Sequence, residues 1–117
     1  MGCRVIYADG STLGGVACVV DGERKPIKKI PLMDSEEAEW EGLLYALSFC
    51  ERGETVRIYL DALKVVTAWN NYRSADPKSR EYMMGVRDLC DRLGLSAVVA
   101  WTPRKYNLAG KILEKHR

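Results

Sequence analysis

The chain has 117 residues, of which 47% are hydrophobic and 29% are charged, and its formal net charge is +2. These values are typical of one globular domain and exclude a disordered chain. The sequence contains no apolar run near the roughly 18 residues of a membrane span, and its first residues lack the layout of a signal peptide. We therefore expect a single cytoplasmic domain over residues 1–117.

The first part of the sequence predicts three antiparallel strands. Segments 3–9 and 15–20 are apolar, and an Asp-Gly pair, which is a strong hairpin signal, separates the second of them from segment 24–32. The third segment is poorly apolar and contains Pro26, which suits a strand at the edge of a sheet.

Helices and strands alternate in the rest of the chain. Asp34 or Ser35 can cap a first helix, and Gly53 is expected to end it. The order βββαβααβα predicts an α/β domain with a mixed sheet. The remaining predicted elements are a strand at 55–61, helices at 62–71 and 78–95, a strand at 96–103, and a last helix at 107–117 with Asn107 as its cap.

Cysteine and histidine usage excludes several kinds of site. The four cysteines form no Cys-x-x-Cys pair, and the only histidine is His116, so the sequence argues against structural zinc and leaves no Ser-His-Asp or Cys-His catalytic group. It also lacks a glycine-rich phosphate loop followed by Lys-Ser/Thr. We expect the cysteines to be unpaired, buried and packed as small hydrophobic residues.

Two segments concentrate the positive charge. Residues 22–29 contain four cations and one acid, and residues 101–117 contain five cations and one acid. Such segments can neutralise phosphates, although each taken alone is more typical of a solvated surface.

Three carboxylates stand out by position. Asp9 and Asp61 each end a predicted strand, where a turn or a helix N-cap is the ordinary role of an aspartate. With about 100° between successive residues of a helix, Glu39 lies on the same inward stripe as Leu43 and Ala46. A buried carboxylate is costly unless a cation, a metal or a proton accompanies it; the alternative is that Glu39 lies at the edge of the stripe and reaches water.

The three carboxylates can converge if the first and fourth strands are neighbours. Ligands of open α/β sheets gather at the carboxyl ends of strands. Carboxylates brought together repel one another unless a hard cation holds them, and sites made of oxygen ligands suit Mg²⁺ or Mn²⁺. The sequence therefore predicts a site for one of these cations.

Four segments in order resemble the type 1 ribonuclease H family: IYADGS (6–11), AEWEGLLYAL (38–47), IYLDALKVV (58–66) and TPRKYNLAGKIL (102–113). The resemblance implies a ribonuclease H-like α/β fold with a five-stranded mixed sheet whose first three strands are antiparallel. It also implies a metal-dependent endonuclease that hydrolyses the RNA strand of RNA–DNA hybrids with Mg²⁺ or Mn²⁺.

The resemblance assigns roles to individual residues. Asp9, Glu39 and Asp61 correspond to the catalytic and metal-binding acids. The residues expected to bind the nucleic acid are Gly10, Ser11, Arg104, Lys105 and Asn107, with the backbone near the first two approaching the 2′-hydroxyls of RNA.

The closing segment departs from the family pattern. Many members carry a fourth acid four residues after the closing asparagine, which here is Lys111, and a shift of one residue gives Gly110. The nearest acid is Glu114, one helical turn further on. Lys111 could lie outside the site, supply part of a cation's charge, or block a second metal and prevent hydrolysis.

Two other functions are compatible with this sequence. The first is a catalytically weak or inactive ribonuclease H-like module that binds nucleic acid, favoured by Lys111 and the two basic segments. The second is another nuclease of the same fold, such as a junction resolvase or an integrase-like enzyme, against which the helix segment AEWEGLLYAL argues.

Overall fold

The computed structural model describes residues 3–115, and within this range the chain forms six strands and four α-helices. The strands are β1 (Arg4–Ser11), β2 (Gly15–Val20), β3 (Glu23–Arg24), β4 (Lys28–Lys29), β5 (Thr55–Leu60) and β6 (Ser96–Trp101). The helices are α1 (Ser35–Leu47), α2 (Leu63–Asn71), α3 (Pro77–Leu93) and α4 (Leu108–Lys115), with a 3₁₀ turn at Arg104–Tyr106.

The strands form one mixed sheet in the order β3-β2-β1-β5-β6, and β4 also pairs with β2. The strands β1 to β4 pair antiparallel, whereas β1–β5 and β5–β6 pair parallel. The predicted mixed α/β sheet is thus confirmed. Because β1 and β5 are parallel neighbours, their carboxyl ends lie at the same edge of the sheet.

The predicted third strand is interrupted. In place of one strand at 24–32, two strands of two residues each pair with β2, and Pro26 lies between them. Proline has no backbone N–H to donate to a sheet, so the pairing stops around it. The sheet therefore has six strand segments where five were predicted.

The first helix is shorter than predicted. Asp34 caps it by accepting a hydrogen bond from the Glu37 backbone N–H at 2.8 Å, but the helix ends at Leu47, six residues before Gly53. Gly53 has a φ of 78° and belongs to the turn that enters β5. This left-handed conformation favours glycine, so Gly53 marks that turn and does not mark the helix end.

The other predicted elements agree with the structure to within two residues at each end. At the start of α4 the predicted cap is present, since Asn107 Oδ1 accepts from the Ala109 backbone N–H at 3.1 Å. Residues 116–117 of the predicted last helix lie outside the described residues.

Apolar side chains fill both faces of the sheet. The larger core packs α1, α2 and α3 against one face, and a smaller cluster of Ala17, Ala109 and Leu113 lies under α4 on the other. Both α1 and α4 pack on β1, which is therefore covered on both sides. The longest described helix, α3, has 17 residues with charged side chains along its length, so none of the described helices could cross a bilayer.

The cysteines only partly match the expectation. All four are unpaired, and Cys18 and Cys90 are buried, but Cys50 is half-buried and Cys3 is exposed. Burial was therefore wrongly predicted for Cys3, which precedes β1 at the start of the described chain.

Candidate active site

Asp9 and Asp61 lie side by side at the carboxyl ends of β1 and β5. The parallel register pairs Tyr7 with Tyr59, so each aspartate follows a paired tyrosine by two residues. The tyrosine rings stack with centroids 5.2 Å apart. The two carboxylates are thus level with each other along neighbouring parallel strands, as the sequence predicted for the case in which these strands are adjacent.

Glu39 reaches the aspartates because α1 lies directly on the end of β1. A Cβ placed on Gly10 would be 1.9 Å from the Ala38 carbonyl oxygen, and one placed on Gly42 would be 3.1 Å from the Asp9 carbonyl group. Glycine at both positions therefore permits the close approach of helix and strand. The Glu39 side chain is only 9% exposed, and its Oε1 accepts from the Gly10 backbone N–H at 3.3 Å.

The three acids form a compact carboxylate cluster, by which we mean Asp9, Glu39 and Asp61. One carboxylate oxygen from each lies within 4.8 Å of the others. The second oxygen of Glu39, Oε2, is buried and has no hydrogen-bond partner. A buried acceptor without a partner is costly, and its position inside a group of acids indicates a place for a cation.

The cluster shifts the pKa values of its buried members upward. Burial, and then the neighbouring Asp9 and Asp61 carboxyl groups, raise the pKa of Glu39 to about 10. Burial likewise raises the pKa of Asp9, with a further contribution from Asp61, while Glu39 and Arg104 oppose the shift. Without a cation, Glu39 therefore retains a proton that an ordinary carboxyl group loses in neutral solution.

Asn107 holds the cluster together from the side of α4. Its side chain is fully buried, and its Nδ2 donates to the Ala8 carbonyl oxygen at 3.0 Å and to Asp61 Oδ2 at 3.1 Å. Because its Oδ1 also caps α4, one side chain connects β1, the end of β5 and α4. The sequence did not reveal this positioning role; a contact of Asn107 with substrate stays a prediction.

Gly110, and not Lys111, faces the carboxylates. A Cβ placed on Gly110 would be 3.2 Å from Asp9 Oδ2 and 3.6 Å from Asp61 Oδ2. Lys111 is exposed and lines a different cavity with Val19 and other residues. Within the described part of the chain, Lys111 is not among the cluster's neighbours, and the three roles considered for it stay predictions.

The other predicted site residues differ in how deeply they are buried. Ser11 is buried at the end of β1, where its Oγ accepts from the Leu13 backbone N–H at 3.1 Å. Arg104 and Lys105 are exposed in the 3₁₀ turn, and Arg104 Nε lies 3.7 Å from Glu114 Oε1. Glu114 is exposed on the surface of α4. The roles predicted for these four residues stay predictions.

Solvent reaches the cluster beside the start of α2. A cavity of about 290 Å³ there is lined by Glu39, Asp61, Leu63 and Lys64, among others. Lys64 is exposed and was not singled out from the sequence. No local sequence pattern marks Lys64, because its place in this cavity depends on the packing of α1 against α2.

Comparison with known proteins finds similarity in structure. No family model matches the chain, and no curated protein matches it. LC11-RNase H1, which was isolated from compost, superposes in its complex with an RNA/DNA hybrid with a TM-score of 0.78 and 20% identity, covering 94% of this chain and 92% of that one. RNase H1 from the archaeon Halobacterium salinarum NRC-1 gives a TM-score of 0.76 and 21% identity, covering 96% of this chain and 94% of that one.

A bacterial domain gives the same result. The N-terminal RNase H domain of Rv2228c from Mycobacterium tuberculosis superposes with a TM-score of 0.74 and 20% identity, covering 96% of this chain and 95% of that one. The likeness extends over nearly the whole of each chain and includes the mixed sheet that carries the carboxylate cluster. The chain therefore has the type 1 ribonuclease H fold.

Proposed function

We propose that this protein is a metal-dependent endonuclease that hydrolyses the RNA strand of RNA–DNA hybrids at the carboxylate cluster. The observation that carries the proposal is the buried, unpartnered Oε2 of Glu39 among three carboxyl groups. The substrate class is supported by the shared fold, since LC11-RNase H1 has been solved with an RNA/DNA hybrid.

The residues present fit a hard divalent cation. The cluster offers carboxylate oxygens from Asp9, Glu39 and Asp61, which are the ligands that Mg²⁺ and Mn²⁺ prefer. A cation held there offsets both causes of the raised pKa of Glu39, which are first its burial and then the neighbouring carboxyl groups. When bound, Mg²⁺ or Mn²⁺ supplies the positive charge that binds a substrate phosphate, activates the attacking water and stabilises the departing 3′ oxygen.

The protein's own groups prepare this site before substrate arrives. The Gly10 N–H holds Glu39 Oε1 and leaves Oε2 directed into the cluster, while Asn107 fixes Asp61 through Oδ2. Gly110 has no side chain, which lets α4 lie directly against the carboxylates of Asp9 and Asp61. Groups fixed in advance need no reorganisation during the reaction, which is a main source of catalytic rate.

The nucleic acid is bound, in this proposal, around the rim of the cluster. The backbone at Gly10 and Ser11 approaches the 2′-hydroxyls, which distinguish RNA from DNA. Arg104 and Lys105, both exposed beside the cluster, contact phosphates.

Cleavage of a labelled RNA–DNA hybrid with Mg²⁺ or Mn²⁺ tests the proposal. Asp9→Asn keeps the shape of the side chain but removes its charge, and we expect it to lower the cleavage rate at least about a hundredfold. Asp88→Asn makes the same chemical change at an exposed position of α3 and should cleave like the unmodified protein. Absence of cleavage, or equal cleavage by the Asp9 and Asp88 variants, contradicts the proposal.

A second candidate is a nucleic-acid-binding module with weak or no hydrolysis. It is favoured by Gly110, which lies next to Asp9 and Asp61 but has no side chain. The cluster therefore has three carboxylates, and α4 supplies no fourth one at this position. This candidate predicts salt-dependent binding of a hybrid in the presence of a chelator, together with no cleavage when Mg²⁺ or Mn²⁺ is added.

A further inference from the structure

The two basic segments of the sequence meet in one cleft. The β2–β3 hairpin and α4 line a cavity of about 300 Å³, and none of the three acids of the carboxylate cluster is part of its lining. We call it the basic cleft, and its lining includes Arg24, Lys111, Lys115, Glu114, Val19 and Leu108. Arg24 comes from the first basic segment and the two lysines from the second, so folding joins charges that are more than 80 residues apart.

The cations of the basic cleft lack acidic partners. Glu114 lies 3.7 Å from Arg104, and Glu23, the acid of the first basic segment, lies 3.3 Å from Lys25. Within residues 3–115, Arg24, Lys111 and Lys115 form no ion pair. The three cations outnumber Glu114, the one acid of the lining, so they repel one another and an anion placed between them reduces that repulsion.

We propose that the basic cleft binds phosphate groups of a nucleic-acid strand, at a site separate from the carboxylate cluster. The choice of a nucleic acid as the source of the phosphates rests on the function proposed above. Arg24, Lys111 and Lys115 are all exposed, so the phosphates of a bound strand can reach them directly.

The position of α4 supports a second contact on the same nucleic acid. Gly110 faces Asp9 and Asp61, whereas its neighbour Lys111 faces the basic cleft. Neighbouring residues of a helix lie about 100° apart around its axis, so the two sites face different sides of the same helix. A strand bound at the cluster and continuing around α4 would therefore meet the lysines.

The test compares two double variants that remove the same charge. Lys111→Gln/Lys115→Gln changes two exposed side chains of α4, and Arg52→Gln/Arg92→Gln changes two exposed side chains near the amino end of β5. Fluorescence anisotropy gives the affinity for a labelled RNA–DNA hybrid at several salt concentrations, with EDTA present so that no hydrolysis is required. Circular dichroism confirms that both variants fold like the unmodified protein.

The expected result is a change in salt dependence confined to the α4 variant. Each phosphate contact contributes about 0.9 to the slope of log affinity against log salt, so the loss of two contacts should make the slope shallower by about 1.8. The Arg52/Arg92 variant should keep the slope of the unmodified protein. Equal slopes for the two variants overturn the proposal, because the lysines then act only through net charge.

Two further outcomes distinguish this proposal from the proposed function and from the binding of a free phosphate. If the unmodified protein binds no hybrid at low salt, the proposed function fails together with the ligand assigned here. Calorimetric titration with sodium pyrophosphate tests a free phosphate as the source: lysine-dependent binding of pyrophosphate with an unchanged hybrid slope overturns the nucleic-acid assignment. Lysine-dependent effects on the hybrid slope support it.

Discussion

The carboxylate cluster has a glycine on each of two sides. We call them the closed side, where the glycine faces the backbone of α1, and the open side, where the glycine faces carboxylate side chains. On the α1 side, a Cβ at Gly10 would be 1.9 Å from the backbone oxygen of Ala38. On the α4 side, the nearest atoms to a Cβ at Gly110 are the carboxylate oxygens of Asp9 and Asp61, at 3.2 and 3.6 Å.

The difference shows that the two glycines serve different purposes. Backbone atoms of a packed helix cannot move aside without displacing the core, so Gly10 fixes the distance between α1 and β1. The atoms near Gly110 are polar side-chain ends that can bind an added ligand. Gly10 therefore determines how the cluster is assembled, and Gly110 determines what else can enter it.

The largest expected effect comes from filling the closed side. Gly10→Ala forces the Ala38 backbone away from β1, and overpacking of this kind costs about 3 kcal/mol or more. We expect a lower free energy of unfolding in urea, with loss of Glu39 from the cluster and therefore of metal binding.

Gly85→Ala is the matched control for this change. Gly85 lies within α3, is exposed, and has nothing within 4 Å of an added Cβ. Alanine is favoured over glycine in a helix by about 1 kcal/mol, so this variant should be stabilised. If Gly10→Ala unfolds at the same urea concentration as the unmodified protein, the contact between α1 and β1 is not as tight as described.

Much of the fold follows from local sequence signals. Asp34 as a cap, the Asp-Gly hairpin and the apolar periods placed most elements within two residues. The misplaced end of α1 has a physical reason: Gly53 is required for a left-handed turn six residues after the helix has ended. A glycine indicates that such a conformation is possible, but the sequence does not say to which element the turn belongs.

That the three acids come together could be predicted from the sequence, whereas the residues that surround them could not. Asp9, Glu39 and Asp61 could be inferred because strand ends and a helical stripe fix the directions of side chains. The residue of α4 that faces them could not, because each residue turns a helix by about 100°. The helix begins directly after Asn107, and this start places Gly110 toward the acids and Lys111 away from them.

The second prediction concerns Glu39, which α1 carries on the closed side of the cluster. It rests on the raised pKa of this residue. In the unfolded chain Glu39 loses its proton near its ordinary pKa of 4.5, whereas in the folded, metal-free protein its pKa is about 10. The folded state therefore binds the proton more tightly, so the associated stability is fully present below pH 4.5 and is lost as the pH rises toward 10. Asp9, whose pKa is also raised, acts in the same direction.

Glu39→Gln removes this proton-dependent contribution. From about pH 5 to about pH 9, in EDTA, the unfolding free energy of the variant should rise relative to that of the unmodified protein by at least about 1.4 kcal/mol, the equivalent of one pKa unit. Glu51→Gln, at an exposed position before β5, should show no such relative change. Parallel pH profiles for Glu39→Gln and the unmodified protein would falsify the proposed protonation of the cluster.

The third and smallest expected effect tests the open side. Gly110→Asp places a fourth carboxylate next to Asp9 and Asp61. We expect this variant to bind Mn²⁺ about fivefold more tightly, which corresponds to roughly 1 kcal/mol of binding free energy. The measurement is the Mn²⁺ dependence of the melting temperature, since a ligand that binds only the folded state stabilises it according to its affinity. Without metal, the same variant should melt below the unmodified protein, because a fourth carboxylate adds repulsion to the cluster.

Lys111→Asp is the control that distinguishes the two registers of α4. It changes the net charge by two units and Gly110→Asp by one, so a general attraction of Mn²⁺ to a more acidic protein would favour the control. Because Lys111 faces the basic cleft, we expect its variant to bind Mn²⁺ like the unmodified protein. Tighter binding by Lys111→Asp than by Gly110→Asp would contradict the prediction, because either net charge or a rotated α4 that turns Lys111 toward the acids would then govern Mn²⁺ binding.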